Sequence, residues 1–199
     1  VGAETSCTVN SIELGTTVLT ISPLTDLGNG TYLLNFNTSE IGAIGAYTMT
    51  ITLYKDHYES QTLIISLQVK EVPVTSYASQ DNVVLFWSEK RNVTIYYNRT
   101  YDGQALVADN IQLALINVTS GQNLGDRGLY VTRVNNVYIM IINSSELQTG
   151  EYVINVTITK RWHENVTIIV YLTVNEIPTA GAPSVSTISV EWDQTISFN

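Results

Sequence analysis

GAYTMTITLYKDHYESQTLIISLQVKEVPVT at residues 45–75 and GEYVINVTITKRWHENVTIIVYLTVNEIPTA at residues 150–180 are the two stretches that decide the fold. Laid over each other without a gap, at an offset of 105 residues, they are identical at 11 of 31 positions. We refer to them as the first and the second copy, and to positions 105 residues apart as equivalent. A fixed internal period of this size predicts a chain built from repeated structural units.

Apolar and polar residues alternate in both copies. In residues 150–159 the alternation has period two, which is typical of a β-strand with one buried face. The inward face of this strand is predicted to carry Tyr152, Ile154, Val156 and Ile158, and that of its equivalent Tyr47, Met49, Ile51 and Leu53. The next strand is predicted to bury Leu63, Ile65, Leu67 and Val69, with the equivalents Ile168, Val170, Leu172 and Val174.

One unit of about 105 residues has the size of a small β-sandwich domain. The second copy and the residues before it divide into strand-like runs at 83–87, 92–98, 110–116, 129–134, 137–142, 150–159 and 165–174. No stretch has a sustained helical period. The chain is therefore predicted to be all-β, with seven strands in a complete unit.

Each copy is followed by a linker of Glu, an aliphatic residue and Pro, at 71–73 and 176–178. Pro cannot donate to a sheet and stiffens the chain, so domain boundaries are predicted near residues 75 and 180. Residues 1–75 are then a repeat that lacks its first strands, and residues 76–180 are a complete repeat. Residues 181–199 are either the first strands of a further repeat or a donor strand.

This last segment resembles the strands that begin the complete repeat: TISFN at its end matches TIYYN at 94–98. The apolar residues of the predicted donor strand are Ile188, Val190, Trp192, Ile196 and Phe198. An incomplete sandwich leaves an unpaired edge, which promotes aggregation unless a strand covers it. Either the tail of one copy completes the next, head to tail, or the chain is a window from a longer array. The predicted partners are other copies of the chain or neighbouring repeats.

The segments SEIGAIGAY and SELQTGEY each place a Gly two residues before a Tyr, at Tyr47 and Tyr152. They resemble the tyrosine corner of immunoglobulin-like sandwiches. Antibody domains have a Cys two residues later, where this chain has Met49 and Ile154, so the antibody-type disulfide is absent.

The whole pattern resembles the tandem immunoglobulin-like or fibronectin-like repeats of prokaryotic, especially archaeal, extracellular surface proteins. The resemblance covers nearly the whole chain. It implies tandem Ig-like seven-stranded antiparallel β-sandwiches and an extracellular, cell-surface location. The same architecture carries many functions, so the role must be argued from particular residues.

Charge and residue usage argue against several classes of function. Nine Lys and Arg against 18 Asp and Glu give a net charge of −9, which argues against nucleic-acid binding. No apolar run approaches the ~20 residues of a membrane span, and a single Cys cannot form an internal disulfide. No catalytic, phosphate-binding or local metal-binding motif occurs. We therefore expect no enzyme activity and no cofactor or metal, although a calcium site built by distant residues stays open.

The pattern N-x-S/T occurs eight times, which marks candidate glycosylation sites if the protein is extracellular. These asparagines are Asn29, Asn37, Asn92, Asn98, Asn117, Asn143, Asn155 and Asn165. The alternative is that N-V-T and N-S-S are ordinary strand and turn sequences.

The turns at 55–60 and 160–165 carry the candidate contact residues His57, Tyr58, Trp162 and His163. Loop tips of sandwiches often bind partners, but such aromatic residues can also pack on strand ends or on a neighbouring domain. The sequence favours an extracellular structural protein of a cell-surface layer or filament, built from repeated Ig-like sandwiches, with strand donation as one of the two alternatives for its tail. The alternative is an adhesion or glycan-binding module that uses the turn-tip aromatic residues.

Overall fold

The computed structural model describes residues 8–14, 17–18, 25–27, 31–35, 38–180 and 192. The strands in these ranges are β1 (Thr8–Leu14), β2 (Thr17–Val18), β3 (Thr25–Asp26), β4 (Tyr32–Leu33), β5 (Gly45–Tyr54), β6 (Gln61–Val69), β7 (Val74–Ala78), β8 (Asn82–Phe86), β9 (Lys90–Arg99), β10 (Asn110–Asn117), β11 (Leu129–Val134), β12 (Val137–Asn143), β13 (Gly150–Thr159) and β14 (Val166–Asn175). Short 3-10 helices span Thr38–Ile41 and Ser144–Glu146. The all-β prediction is confirmed.

The contacts within the chain divide it into two compact units. The first consists of Val1–Ser76, Tyr97–Ile111 and Ile158–Val166, and the second of Tyr77–Tyr96, Gln112–Thr157 and Thr167–Asn199. This division does not follow the sequence repeat. The domain boundaries near residues 75 and 180 stay a prediction.

The core of the second unit is a β-sandwich. One sheet has the order β11-β12-β9-β7 and the other β10-β13-β14-β8. In the central strands β9, β12, β13 and β14 alternate side chains are buried, and Val93, Met140, Ile154 and Val170 are fully buried. Burying one such side chain stabilises the fold by about 1.5–3 kcal/mol. The period-two pattern of the sequence therefore forms the core of this sandwich.

Within the described residues these two sheets hold eight strands rather than the predicted seven, and one pair is parallel. Val74–Ala78, which was not among the predicted strands, forms β7 at one sheet edge, whereas β8 joins the other sheet and runs parallel to β14. In this pair Val83 lies opposite Leu172, and Leu85 lies opposite Val174. All four side chains are buried. β8 thus covers the sheet edge that β14 would otherwise expose.

Both predicted tyrosine corners are present. The hydroxyl of Tyr47 donates a hydrogen bond to the carbonyl oxygen of Ala43 at 2.8 Å, and that of Tyr152 donates to the carbonyl oxygen of Gln148 at the same distance. A glycine with positive φ lies two residues before each tyrosine: Gly45 has φ 154° and Gly150 has φ 148°. Residues with a side chain disfavour this conformation. The G-x-Y spacing is therefore a backbone requirement of the corner.

The first unit contains a smaller sheet with the order β2-β1-β5-β6, in which β5 and β6 form an antiparallel hairpin. Among the side chains of this sheet that the structure describes, Met49 and Ile51 of β5 are buried. The partly buried residues packed against them are Leu34, Ile41, Tyr47, Leu53 and Leu67.

The burial predicted for β6 is wrong over the first half of the strand. Leu63 and Ile65 are 49% and 43% exposed, whereas their equivalents Ile168 and Val170 are buried. A sheet face is buried only where a second layer packs on it. The exposure of these residues means that no such layer covers this half of β6 in the described part of the chain. The period-two pattern of the sequence therefore identified which face of β6 is apolar, but it did not show whether that face is buried.

Candidate functional site

The turn between β13 and β14 carries two of the four candidate contact residues, Trp162 and His163. Trp162 has a left-handed backbone, with φ 65°, and the guanidinium of Arg161 lies 4.4 Å from the centroid of an indole ring of Trp162. The backbone N–H of Arg161 donates to the carboxylate of Asp109 at 2.7 Å. His163 Nδ1 lies 2.8 Å from the carbonyl oxygen of Arg161. These contacts hold the turn in one conformation.

The linker after β6 binds to this turn through three hydrogen bonds, which we name the linker clasp. The N–H of Val72 donates to the carbonyl oxygen of Trp162 at 2.8 Å, and the N–H of Glu164 donates to the carbonyl oxygen of Val72 at 3.1 Å. The N–H of Val74 donates to the Glu164 carboxylate at 3.4 Å. Val72 and His163 form an isolated parallel bridge. The turn is thus used for a contact inside the chain.

Sequence reasoning missed the linker clasp, because it treated the linker as a boundary and the turn as a site for an outside partner. The available signal was Glu164, which is identical to its equivalent Glu59. The contacts of Trp162 and His163 with the linker are made by backbone groups, so the prediction that the aromatic side chains of this turn pack on strand ends or on a neighbouring domain stays a prediction.

The equivalent turn between β5 and β6 carries the other two candidate contact residues, His57 and Tyr58. Their side chains are exposed, and His57 Nε2 lies 3.5 Å from the carboxylate of Asp56, where both side chains are at least 80% exposed. The ammonium of Lys55 lies 5.5 Å from the ring centroid of Tyr58. The four candidate contact residues therefore lie on two separate turns, of which only the second receives a linker in the described residues.

The edge of β6 is a further candidate surface. Leu63, Ile64 and Ile65 are adjacent and 43–71% exposed, so apolar side chains point outward from both faces of this strand. An exposed, apolar edge strand also presents unpaired backbone N–H and C=O groups, which favours pairing with another strand. Its equivalent, β14, has β8 on this side.

The predicted donor strand lies almost wholly outside the described residues. This holds for Ile188, Val190, Ile196 and Phe198. Trp192 is described, and its side chain is 97% exposed. The pairing of this segment therefore stays a prediction.

Six of the eight predicted glycosylation sites lie in the described residues, and none of them is buried. Asn92 in β9 and Asn165 before β14 are exposed, and Asn98, Asn117, Asn143 and Asn155 are half-buried. Asn29 and Asn37 lie outside the described residues. The geometry is compatible with glycosylation at the six.

The aromatic side chains of the described residues include one stacked pair, Tyr77 and Tyr96, with ring centroids 4.6 Å apart and an interplanar angle of 18°. Stacked rings cover one face of each other. A platform for a sugar needs side-by-side rings with free faces, so this pair does not form one.

Two exposed carboxylates have hydrogen bonds that explain their shifted pKa values. The hydroxyl of Tyr130 and the amide of Asn143 both donate to Glu146 at 2.7 Å, which lowers the pKa of Glu146. A hydrogen bond from Arg99 lowers the pKa of Asp102. Both shifts favour the ionised form, as in surface ion pairs and turns.

The described residues contain no group of three or more His, Cys, Asp and Glu side chains that could hold a metal ion. Neither of the short helices in that part of the chain is long and apolar enough to cross a membrane.

No protein family and no curated protein matches this sequence. Among solved structures, the chain is similar to CopC from Methylosinus trichosporium OB3b, with 16% identity, a TM-score of 0.35, and coverage of 54% of this chain and 100% of that one. It is similar to domains 1–6 of the surface layer protein SbsC, with 12% identity, a TM-score of 0.38, and coverage of 90% and 21%. It is also similar to the BIgI domain of beta protein from S. agalactiae bound to CEACAM1, with 12% identity, a TM-score of 0.34, and coverage of 53% and 99%.

Proposed function

We propose that this chain is a structural subunit of an extracellular cell-surface layer or filament built from repeated Ig-like sandwiches. Residues 187–191 of one copy add as a strand to β6 of the next copy. The observation that supports this is the contrast between two equivalent strands. β14 is paired with β8, and Leu172 and Val174 opposite β8 are buried. In the described residues β6 has no strand on this side, and the equivalent Leu67 and Val69 are only half-buried.

The pair of β14 and β8 supplies the register of the proposed contact. Leu172 lies opposite Val83 in that pair. Shifted by 105 residues, the same register places Ile188 of one copy opposite Leu67 of the next. The further pairs are Ser66 with Thr187, Gln68 with Ser189, Val69 with Val190, and Lys70 with Glu191.

The proposed strand has the residue types that this position needs. Ile188 and Val190 are equivalent to Val83 and Leu85, which are both buried in β8. Strand addition of this kind gains main-chain hydrogen bonds and apolar burial together. Each copy gives one strand and receives one at a different surface, so the contact is heterologous and extends into an open filament or sheet.

The test compares three forms of the full chain by light scattering and electron microscopy. We expect the unmodified chain to form concentration-dependent linear assemblies and the double variant Ile188→Asp, Val190→Asp to stay monomeric. Ser189→Asp is the matched control, because this side chain lies on the opposite face of the strand and should leave assembly intact. Monomers from the unmodified chain, or equal assembly by all three forms, would contradict the proposal.

Glycans on the outward asparagines are part of the proposed extracellular role. Peptide mapping of material from the native source is expected to find glycans at Asn92 and Asn165, whose side chains are exposed. Asn117 should be modified less, because its side-chain oxygen accepts hydrogen bonds from Ser120 in a tight turn. Bare asparagine at all mapped sites would reduce the pattern to ordinary strand and turn sequence.

The other candidate function, adhesion or glycan binding through the turn-tip aromatic residues, has weaker support. Trp162 and His163 lie on a turn that receives the linker through backbone hydrogen bonds. His57 and Tyr58 are exposed, but they supply only one phenol ring and one imidazole, next to the charged Asp56 and Lys55. This is fewer rings than a side-by-side platform for a sugar needs.

A further inference from the structure

The exposed turn between β5 and β6 has the same backbone conformation as the turn in the linker clasp. His57 has φ 66° and its equivalent Trp162 has φ 65°. The N–H of Tyr58 donates to the carbonyl oxygen of Lys55 at 3.0 Å, which closes the turn. The same bond closes the second turn, from His163 to the carbonyl oxygen of Lys160 at 3.1 Å. The two turns are therefore structural equivalents and not only sequence equivalents.

The groups that receive the linker at the second turn are also present at the first. They are a carbonyl oxygen, that of His57, and the N–H and the carboxylate of Glu59. Glu59 is exposed. An exposed carboxylate with backbone N–H and C=O groups beside it is the same set of groups that holds the linker at the second turn.

The chain also carries a second copy of the linker. Glu176, Ile177 and Pro178 match the first linker at two of three positions, with Ile177 in place of Val72. All three residues are exposed, and the Ile177 side chain is 52% exposed. Pro has a fixed φ and no N–H, so it holds the donors on either side of it apart in a stiff, extended segment. Such a segment loses little conformational entropy when it binds.

We propose that the turn Lys55–Glu59 binds the linker Glu176–Thr179 of a second copy, in a clasp with the geometry of the one between Val72 and Glu164. The N–H of Ile177 donates to the carbonyl oxygen of His57, and the N–H of Glu59 donates to the carbonyl oxygen of Ile177. The N–H of Thr179 donates to the carboxylate of Glu59. This inference rests on the proposed head-to-tail assembly, because the linker and the donor strand of one copy would bind to the same neighbouring copy.

The clasp explains why the donor strand would bind in one register only. Strand edges with alternating apolar residues can slip by two residues and keep the same face buried. A clasp that fixes Ile177, eleven residues before Ile188, limits this slippage. It also adds hydrogen bonds at a second place, so the two contacts act as a bivalent attachment.

Disulfide trapping tests the clasp directly. In a Cys7→Ser background, the pair Tyr58→Cys and Ile177→Cys should give a ladder of covalent oligomers on oxidation, because Val72 and His163, which are their equivalents, are bridge partners. The control pair Tyr58→Cys and Thr179→Cys is displaced by two residues, beyond disulfide reach, and should give no ladder. Each single-cysteine variant should give at most dimers.

Substitution of Glu59 gives a second readout. We expect Glu59→Ala to weaken assembly about tenfold, because it removes the carboxylate acceptor. Glu59→Gln keeps an acceptor oxygen and should restore most of the affinity. Asp56→Asn is the control: it removes a negative charge from the same turn, but Asp56 makes none of the proposed hydrogen bonds, so assembly should change little.

The outcomes separate the clasp from the proposed function. No ladder from the Tyr58 and Ile177 pair, together with normal assembly of the Glu59→Ala chain, overturns the clasp and leaves strand addition at β6 standing. Failure of the unmodified chain to assemble overturns both.

Discussion

Leu172→Ala is expected to lower the free energy of unfolding of the second unit by about 3 kcal/mol, whereas the same change at the equivalent Leu67 should cost about 1 kcal/mol. Leu172 is 1% exposed between two sheets, so Ala leaves a cavity there. Leu67 is only partly buried against Met49 and Ile51, so the site can collapse or fill with water. Identical residues at equivalent positions thus differ by their surroundings alone.

Chemical denaturation of the full chain at low concentration, where it is monomeric, measures both costs. A chain with two units can unfold in more than one step, so a single transition midpoint does not show which unit was destabilised. Hydrogen exchange of the amides of β6 and β14 measures the stability of each unit separately. Under assembling conditions the cost of Leu67→Ala should rise, because the proposed strand places Ile188 beside Leu67, as Val83 lies beside Leu172. Equal costs in the monomer would mean that β6 is already covered.

Gly128→Ala should lower the free energy of unfolding by about 3 kcal/mol, and Gly121→Ala by about 1 kcal/mol. Both glycines have positive φ, 68° and 67°, which disfavours any side chain. At Gly128 a Cβ atom would also lie 2.8 Å from the carbonyl oxygen of Asn143, whereas at Gly121 nothing lies within 4 Å. A hydrogen bond of 2.8 Å from the N–H of Asn143 to the Gly128 carbonyl oxygen holds these strands together, so the clash cannot relax easily.

The two glycine variants are a matched pair, because they share the backbone strain and differ in the contact. Urea denaturation followed by tryptophan fluorescence compares them. A similar loss for both would show that the backbone near Asn143 moves away from the added methyl group. A larger loss at Gly121 would contradict the prediction outright.

Much of the fold follows from local sequence, because strand alternation and turn chemistry act over a few residues. The period-two pattern predicted the inward faces of β13 and β14, whose alternate residues are buried. The spacing of Gly and Tyr predicted both tyrosine corners, since the corner needs a positive φ and one phenol.

Other features depend on pairings between distant residues, which local patterns do not contain. The sequence did not show that β8 pairs parallel with β14, or that Val74–Ala78 forms a strand, β7. Nor did it show that the turn at Trp162 binds Val72, since the donors and acceptors are backbone groups that every residue carries.

The sequence by itself determined the long strands β13 and β14, their apolar faces and the two equivalent turns, because each depends on neighbouring residues. Only the tertiary structure decided which of the two equivalent apolar faces, that of β6 or that of β14, is covered. Leu67 and Leu172 are the same residue at equivalent positions, yet β8 and the facing sheet bury the second, and β6 leaves the first at an open edge. Burial depends on the layer that packs against a strand, and this layer comes from residues far away in the chain or from another copy.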